Sequence, residues 1–381
     1  MDFVRYENGI DELYNNMDNF IRNNTFQNKM VIMFGTSKVA SMIVYYLKKN
    51  GINVDAIVDN DKKRQGEVVF GIRVYSPEEL LMEFKENAMV ILASSYQDEM
   101  IKQLEGMGYH YEEHIIKAID LPAVLNDYSF VDRSGLVQLT NAEVRESQLK
   151  VLKRLKHVCE ENDIRYWLAG GTLLGAVRHK GYIPWDDDID VFVDIHHLKK
   201  LSDALKDDPD FSFISFVDDV DYYDECSLMV DNHTILDTNH FPMQLTTGVS
   251  IDIFPMCAIP DDPKELKDYI TNVRNMEMDK WNKLYDKTEC KKASDKLVAY
   301  MQSFKFEECG MCGSILTRYF LNDMYDASVF ADKTEVEFEG ELYAAPIGWE
   351  TYLKALYGDY MQLPPKEKQI AHHYFHAYKK N

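Results

Sequence analysis

Residues 168–193 decide how this chain reads: Leu168-Ala169-Gly170-Gly171-Thr172-Leu173-Leu174-Gly175 and, after a short basic stretch, Pro184-Trp185-Asp186-Asp187-Asp188-Ile189-Asp190-Val191-Phe192-Val193. Four closely spaced acids repel one another, yet they run straight into a Val-Phe-Val segment with strand character. A cation is expected among them. If Asp188 to Val193 is extended, Asp186, Asp188 and Asp190 share one face, and Asp187 turns to the other with Ile189 and Val191. Carboxylates two residues apart on a strand can hold one divalent ion from the same side. Oxygen-only ligands beside a phosphorylated substrate favour Mg2+ or Mn2+. Gly170 and Gly171 permit a tight turn whose N–H groups can approach phosphate oxygens, and Thr172 adds a hydroxyl. Arg178, His179 and Lys180 supply positive charge on the other side of that phosphate.

Alone, a Gly-Gly-Thr is ordinarily a turn and an acidic run ordinarily a solvated loop. Together, a glycine loop, a basic segment and an acid-x-acid strand form a set that a structural loop does not need. The uninterrupted run Gly170 to Val191 resembles the signature of the LicD family. Further resemblance lies in Tyr352-Leu353, Leu356-Tyr357-Gly358-Asp359-Tyr360-Met361 and Leu363-Pro364-Pro365-Lys366-Glu367-Lys368. The resemblance implies a nucleotidyltransferase fold and transfer of phosphocholine from CDP-choline to a cell-surface glycan. The fukutin-related phospho-alditol transferases share a similar core.

The resemblance also implies a third acid on a neighbouring strand. Val249-Ser250-Ile251-Asp252-Ile253-Phe254-Pro255 supplies it, with Ser250, Asp252 and Phe254 on one face and the isoleucines in the core. An acid between two isoleucines is costly to bury without a cation or hydrogen bonds, although a strand-edge acid facing water fits as well. Asp188, Asp190 and Asp252 are therefore the expected catalytic and metal-holding residues. Gly170, Gly171, Thr172, Arg178, His179, Lys180, Trp185 and Asp186 are expected around the donor phosphates. A quaternary ammonium would need an aromatic or acidic pocket, for which Trp185, Tyr182, Tyr357 and Tyr360 are candidates, Trp185 being equally suited to core packing. Metal and phosphate ligands do not name the leaving group. A nucleotidyltransferase releasing pyrophosphate, or a non-catalytic nucleotide-sugar-binding protein, remains an alternative to phospho-alcohol transfer.

At 381 residues the chain is long enough for two cores, and its formal charge of −22 argues against nucleic acid as a partner. A CDP-linked donor in a local pocket and a glycan acceptor are compatible with it. No apolar run has the length of a membrane span, and Met1-Asp2-Phe3-Val4-Arg5 lacks the apolar core of a signal peptide, so a cytoplasmic enzyme is expected. The six cysteines (159, 226, 257, 290, 309 and 312) are scattered, as reduced thiols would be. Cys309-Gly310-Met311-Cys312 suits packing better than zinc, and His372-His373 with His376 suits a solvated terminal helix or an acceptor wall better than a metal. The oligomeric state stays open, a homo-oligomer included.

A second unit lies in front. Lys29 to Ala40 reads as strand, glycine turn and helix start, Asn50-Gly51 ends that helix, and Val54–Asp59 and Met89–Ser94 read as further strands. This is a βαβ pattern with a parallel sheet. Gly35-x-Ser37-x-x-Ala40 is a degraded dinucleotide fingerprint with Asp59 near the ribose-acid position, so Gly35, Ser37 and Asp59 form a candidate nucleotide or nucleotide-sugar site. A structural or subunit-contact role is the competing reading, and NAD-linked redox chemistry is not expected. The fold class is thus α/β: a Rossmann-like domain over 1–120, a linker over 121–140, and an α+β nucleotidyltransferase-fold domain over 141–381. Its helical subdomain is expected at about 263–381. The amphipathic stretch Glu143 to Glu161 should lead into a strand at Tyr166–Leu168.

Overall fold

The computed structural model describes residues 5–6, 8–81, 87–94, 96–120, 135–219, 222, 224–240, 243–316, 323–369 and 376–380. A short strand β1 (Arg5–Tyr6) and helix α1 (Asn8–Arg22) precede β2 (Met30–Phe34), an apolar strand covered on both faces. Gly35, at φ +103°, turns the chain into α2 (Lys38–Lys49), whose first turn is capped by the Ser37 hydroxyl accepting from the Ala40 amide. Then follow β3 (Ala56–Val58), β4 (Val68–Val69), β5 (Ile72–Tyr75), α3 (Pro77–Leu81), β6 (Ala88–Leu92), α4 (Gln97–Gly106) and β7 (Ile115–Lys117). The sheet order is β4-β5-β3-β2-β6-β7, with every pair parallel except the edge pair β4 and β5. This is the expected Rossmann-like unit. Its order reverses between β2 and β6, where such sheets open a crevice.

Residues 121–134 of the expected linker lie outside the described residues. The chain resumes with β8 (Val137–Gln138) and α5 (Asn141–Glu161), which starts with a capping box between Thr140 and Glu143. Its stripe of Val144, Val151, Leu152, Leu155, Val158 and Cys159 is buried, as the amphipathic pattern requires. Next come β9 (Tyr166–Leu168), α6 (Gly170–His179), β10 (Asp190–Asp194), α7 (Leu198–Leu205), β11 (Phe211–Ile214), β12 (Ser227–Asp231), β13 (Thr234–His240), β14 (Met243–Thr247) and β15 (Ser250–Ile259). The central sheet runs β11-β12-β15-β10-β9, in which β10 and β15 are parallel and the other pairs antiparallel.

After β15 come α8 (Pro263–Asn282), α9 (Lys287–Met301), β16 (Met311–Gly313), β17 (Met324–Asp326), β18 (Lys333–Phe338), β19 (Glu341–Pro346), α10 (Trp349–Tyr357) and β20 (His376–Lys379). The expectation of a helical subdomain across 263–381 is corrected here: the helical hairpin ends at Met301, and most of the remaining described elements are strands. The reason is legible in β18, where Lys333-Thr334-Glu335-Val336-Glu337-Phe338 alternates with the period of a strand and pairs with β19. The strand β20 joins β1, β14, β13 and β8 in a third sheet, in the order β1-β14-β13-β20-β8. Tyr319, Phe320, His372 and His373 lie outside the described residues. One apolar cluster runs from Ile10 through Met33 and Trp167 to Leu353, and so joins the front unit to the central sheet. No described helix is long and apolar enough to cross a membrane.

Candidate active site

Strands β10 and β15 pair in parallel so that Asp190 stands opposite Asp252. The alternation expected around Asp252 is present: Ile251 and Ile253 are buried, whereas Ser250, Asp252 and Phe254 lie on the more open face. Register partners share a face, so the two carboxylates emerge side by side. Below them the same face carries Phe192 and Phe254, with ring centroids 6.5 Å apart, and Phe192 also packs edge-on against Phe330 and Tyr352. The acids therefore stand on an aromatic floor.

The glycines serve those acids directly. Gly170 (φ +46°) and Gly171 form the first turn of α6, and a Cβ on them would lie 2.9 Å from Asp190 Oδ2 and 2.5 Å from Asp186 Oδ2, respectively. Only glycine lets both carboxylates come this close to the helix start, where the helix dipole favours negative charge. The Gly170 amide donates to the Tyr352 hydroxyl at 2.9 Å. Thr172, 2 % exposed, accepts from the Asp190 amide at 2.8 Å. Thr172, in the first turn of α6, thus ties helix to strand.

Strand β10 starts only at Asp190, so Asp186 to Ile189 do not alternate. The expectation that Asp187 turns away is corrected by this: carboxylate oxygens of Asp186, Asp187 and Asp188 lie within 4.8 Å of one another. Helix α5 holds the acidic loop by its backbone. Arg145 donates to the carbonyls of Pro184 (3.2 Å) and Asp186 (2.6 Å), and Gln148 donates to that of Asp187 (3.0 Å). Tyr182, expected as a pocket wall, is instead buried in this support, with its hydroxyl on Gln148 and its ring under the Arg145 guanidinium. Burial, followed by the charges of Asp188, Asp252 and Asp186, pushes the Asp190 carboxyl well above the usual carboxylate range. These acids cannot all ionise cheaply without a cation, and a donor set of carboxylates alone suits Mg2+ or Mn2+.

The basic trio separates along α6. A rise of about 1.5 Å per residue puts Lys180 about 15 Å from Gly170, at an exposed left-handed cap, so Lys180 is not beside the acids. His179 takes a hydrogen bond from Arg178 Nε, and Arg178 Nη1 donates to the Tyr360 carbonyl at 2.8 Å. Arg178 still feels the Tyr357 phenol, which burial and then the charges of Asp190, Asp186 and Asp188 push upward. Tyr357, 43 % exposed, is therefore a wall of the site, while Trp185 is half-buried against the core.

Reading the sequence missed the opposite wall. Burial and then the charges of Asp252, Asp224 and Asp190 push the half-buried Cys226 thiol well up, and the Cys226 amide donates to Asp224. It also missed Arg145 and Gln148, and it quoted Tyr352 in a matching segment without giving it a role. The available signal was Gln148, a polar residue placed in the buried stripe of α5.

At the crest of the front sheet, Gly35, Ser37 and Asp59 do come together. The Ser37 hydroxyl caps α2, and the Asp59 carboxylate accepts from the Thr36 hydroxyl at 2.9 Å and the Asp61 amide at 2.8 Å. All six cysteines are free thiols.

Residues 163–311 match the LicD/FKTN/FKRP nucleotidyltransferase domain family, and residues 27–116 match the C2185-like N-terminal family. The lipopolysaccharide cholinephosphotransferase LicD of Haemophilus influenzae is 29% identical over 262 residues, covering 62% of this chain and 97% of that protein. The human ribitol 5-phosphate transferase FKRP is 46% identical over 50 residues, covering 12% of this chain and 10% of that protein. Among solved structures, a UDP-D-quinovosamine 4-dehydrogenase from Vibrio fischeri is 21% identical and covers 26% of this chain and 84% of its own, at a TM-score of 0.21.

Proposed function

We propose that this chain transfers phosphocholine, or a related phospho-alcohol group, from a CDP-activated donor to a hydroxyl of a cell-surface glycan and releases CMP. The observation that carries the reading is the pairing of Asp190 with Asp252 across parallel strands, beside the carboxylates of Asp186, Asp187 and Asp188. Similarity to the Haemophilus cholinephosphotransferase, and over 50 residues to the human ribitol 5-phosphate transferase, supports a phosphotransferase. Residues 141–381 form the catalytic unit in this reading, and residues 1–120 a Rossmann-like unit joined to it by 121–140.

Asp188, Asp190 and Asp252, with Asp186 and Asp187 at the rim, would hold Mg2+ or Mn2+. When bound, the metal supplies positive charge against the diphosphate and the departing nucleotide. The chain's own part is to hold these oxygens in place. Gly170 and Gly171 admit the carboxylates, Thr172 and Tyr352 lock α6 to β10, and Arg145 and Gln148 pin the acidic loop. The acceptor oxygen attacks the phosphorus distal to cytidine, the bond from that phosphorus to the bridging oxygen breaks, and CMP leaves. Asp252 is the carboxylate placed to take the acceptor's proton. Tyr357 would face the transferred head group.

The test is nucleotide release by the purified protein with Mn2+ or Mg2+. CDP-choline, CDP-ethanolamine, CDP-glycerol, CDP-ribitol and nucleoside triphosphates are offered separately, beside the Asp190→Asn variant. CMP from one CDP donor, lowered at least ~100-fold in the variant, is the expected result. Pyrophosphate from a triphosphate would instead make the chain a nucleotidyltransferase, and binding without turnover of any donor would make it a binding protein.

A further inference from the structure

The front unit meets the catalytic unit along α2 and α8, and the centre of that contact is charged. Lys38, the first residue of α2, places Nζ 2.5 Å from Glu277 Oε1, 3.9 Å from Glu225 Oε2 and 4.6 Å over the Trp281 ring. The partners are buried: the side chains of Glu277, Glu225 and Lys280 are 4%, 9% and 2% exposed. Arg274 reaches Glu277 at 2.9 Å, Lys280 reaches Glu225 at 3.6 Å, and Trp281 Nε1 donates to Glu225 at 3.2 Å. Around this network Ser41 donates to Asn282, and the Tyr285 ring packs against Tyr14, Tyr45 and Tyr46 with Lys49 above it.

Two buried carboxylates are tolerated only when positive charge meets them from several sides. Of the cations that do so here, Lys38 comes from the front unit and Lys280 and Arg274 from α8. Glu225 lies between Asp224 and Cys226, just ahead of β12, where Ser227 pairs with Ile253 and Leu228 with Asp252. Whatever fixes Glu225 therefore fixes the wall beside Asp252.

We propose that Lys38 is a positioning residue for the catalytic site. Its ammonium, shared between Glu225 and Glu277, clamps the Asp224–Cys226 wall against Asp252, so the catalytic unit depends on the front unit for its geometry. The turnover arm of the test rests on the transferase reading above, and the thiol arm does not. In the full chain, Lys38→Met and Lys38→Arg are compared with wild type in two assays. One measures kcat and KM for CMP release from the accepted CDP donor with Mn2+. The other measures the rate of Cys226 alkylation by iodoacetamide without donor, followed by mass spectrometry with Cys309 as the internal control.

Lys38→Met should lower kcat about 10-fold with little change in donor KM, because a small displacement of a site wall is felt in the chemical step. It should also speed alkylation of Cys226 and leave that of Cys309 unchanged, while Lys38→Arg keeps wild-type behaviour in both assays. Wild-type kcat together with a wild-type Cys226 rate in Lys38→Met would overturn the proposal. So would equal losses in the Met and Arg variants that track a fall in melting temperature, since that is ordinary packing. If wild type releases nucleotide from no donor, the transferase reading fails, and the Cys226 rate alone decides whether the clamp exists.

Discussion

Phe34-Gly35-Thr36-Ser37 and Leu168-Ala169-Gly170-Gly171 are both strand-to-helix turns, one in each of the two main sheets. At the first, the polar groups satisfy one another: Ser37 caps its own helix, Thr36 bonds Asp59, and a Cβ on Gly35 would meet open space. At the second, Ala169 has no side chain with which to cap, and the space a Cβ would need is taken by the carboxylates of Asp186 and Asp190. A glycine can thus be required by the backbone angle or by what must stand beside it. The second case marks chemistry, because nothing within the fold needs like charges packed against a helix start. Gly35-x-Ser37 has the look of a ligand fingerprint, yet its polar groups are engaged within the fold.

Substitutions at the two turns should part in opposite ways. Gly171→Ala should cut CMP release roughly 10- to 100-fold, since the added methyl displaces the Asp186 carboxylate. Gly35→Ala should cost about 1–3 kcal/mol of stability through its positive φ while leaving turnover near wild type. Circular-dichroism melts beside the nucleotide assay separate the two, and equal turnover loss in both would erase the contrast. Within the acidic turn, Asp187→Ala should weaken Mn2+ binding about 10-fold, comparably to Asp188→Ala, as measured by calorimetry. A much milder Asp187 variant would restore the strand phase that the structure rejects. The smallest effect is expected from Thr36→Val, about 1 kcal/mol in thermal stability for one lost hydrogen bond, with no change in CMP release.

What was legible in the sequence was local. The apolar runs of β2 and β6, the alternation around Asp252, the Tyr166–Leu168 strand and the amphipathic helix over Glu143–Glu161 all follow from periodicity, which neighbouring residues determine by themselves. The helical reading past Met301 failed on a local signal it passed over: Lys333–Phe338 alternates with the period of a strand and pairs, across the Glu339-Gly340 turn, with the next segment Glu341–Pro346. Asp187 was misplaced because the period of a strand was carried back past Asp190, where pairing with β15 and β9 ends and the backbone answers instead to Arg145 and Gln148.

By itself, the sequence determined which residue types are gathered: acids at the start of one strand, an isolated acid in another, glycines before them, and a parallel βαβ unit in front. Only the tertiary structure decided that Asp190 faces Asp252, that the Thr172 and Tyr352 hydroxyls accept from the amides of Asp190 and Gly170, and that Lys38 stands on Glu277, 239 positions away in the chain. The physical reason is that side-chain period and caps are set by adjacent residues. Strand register and charge pairing across the chain are set by which surfaces become buried together.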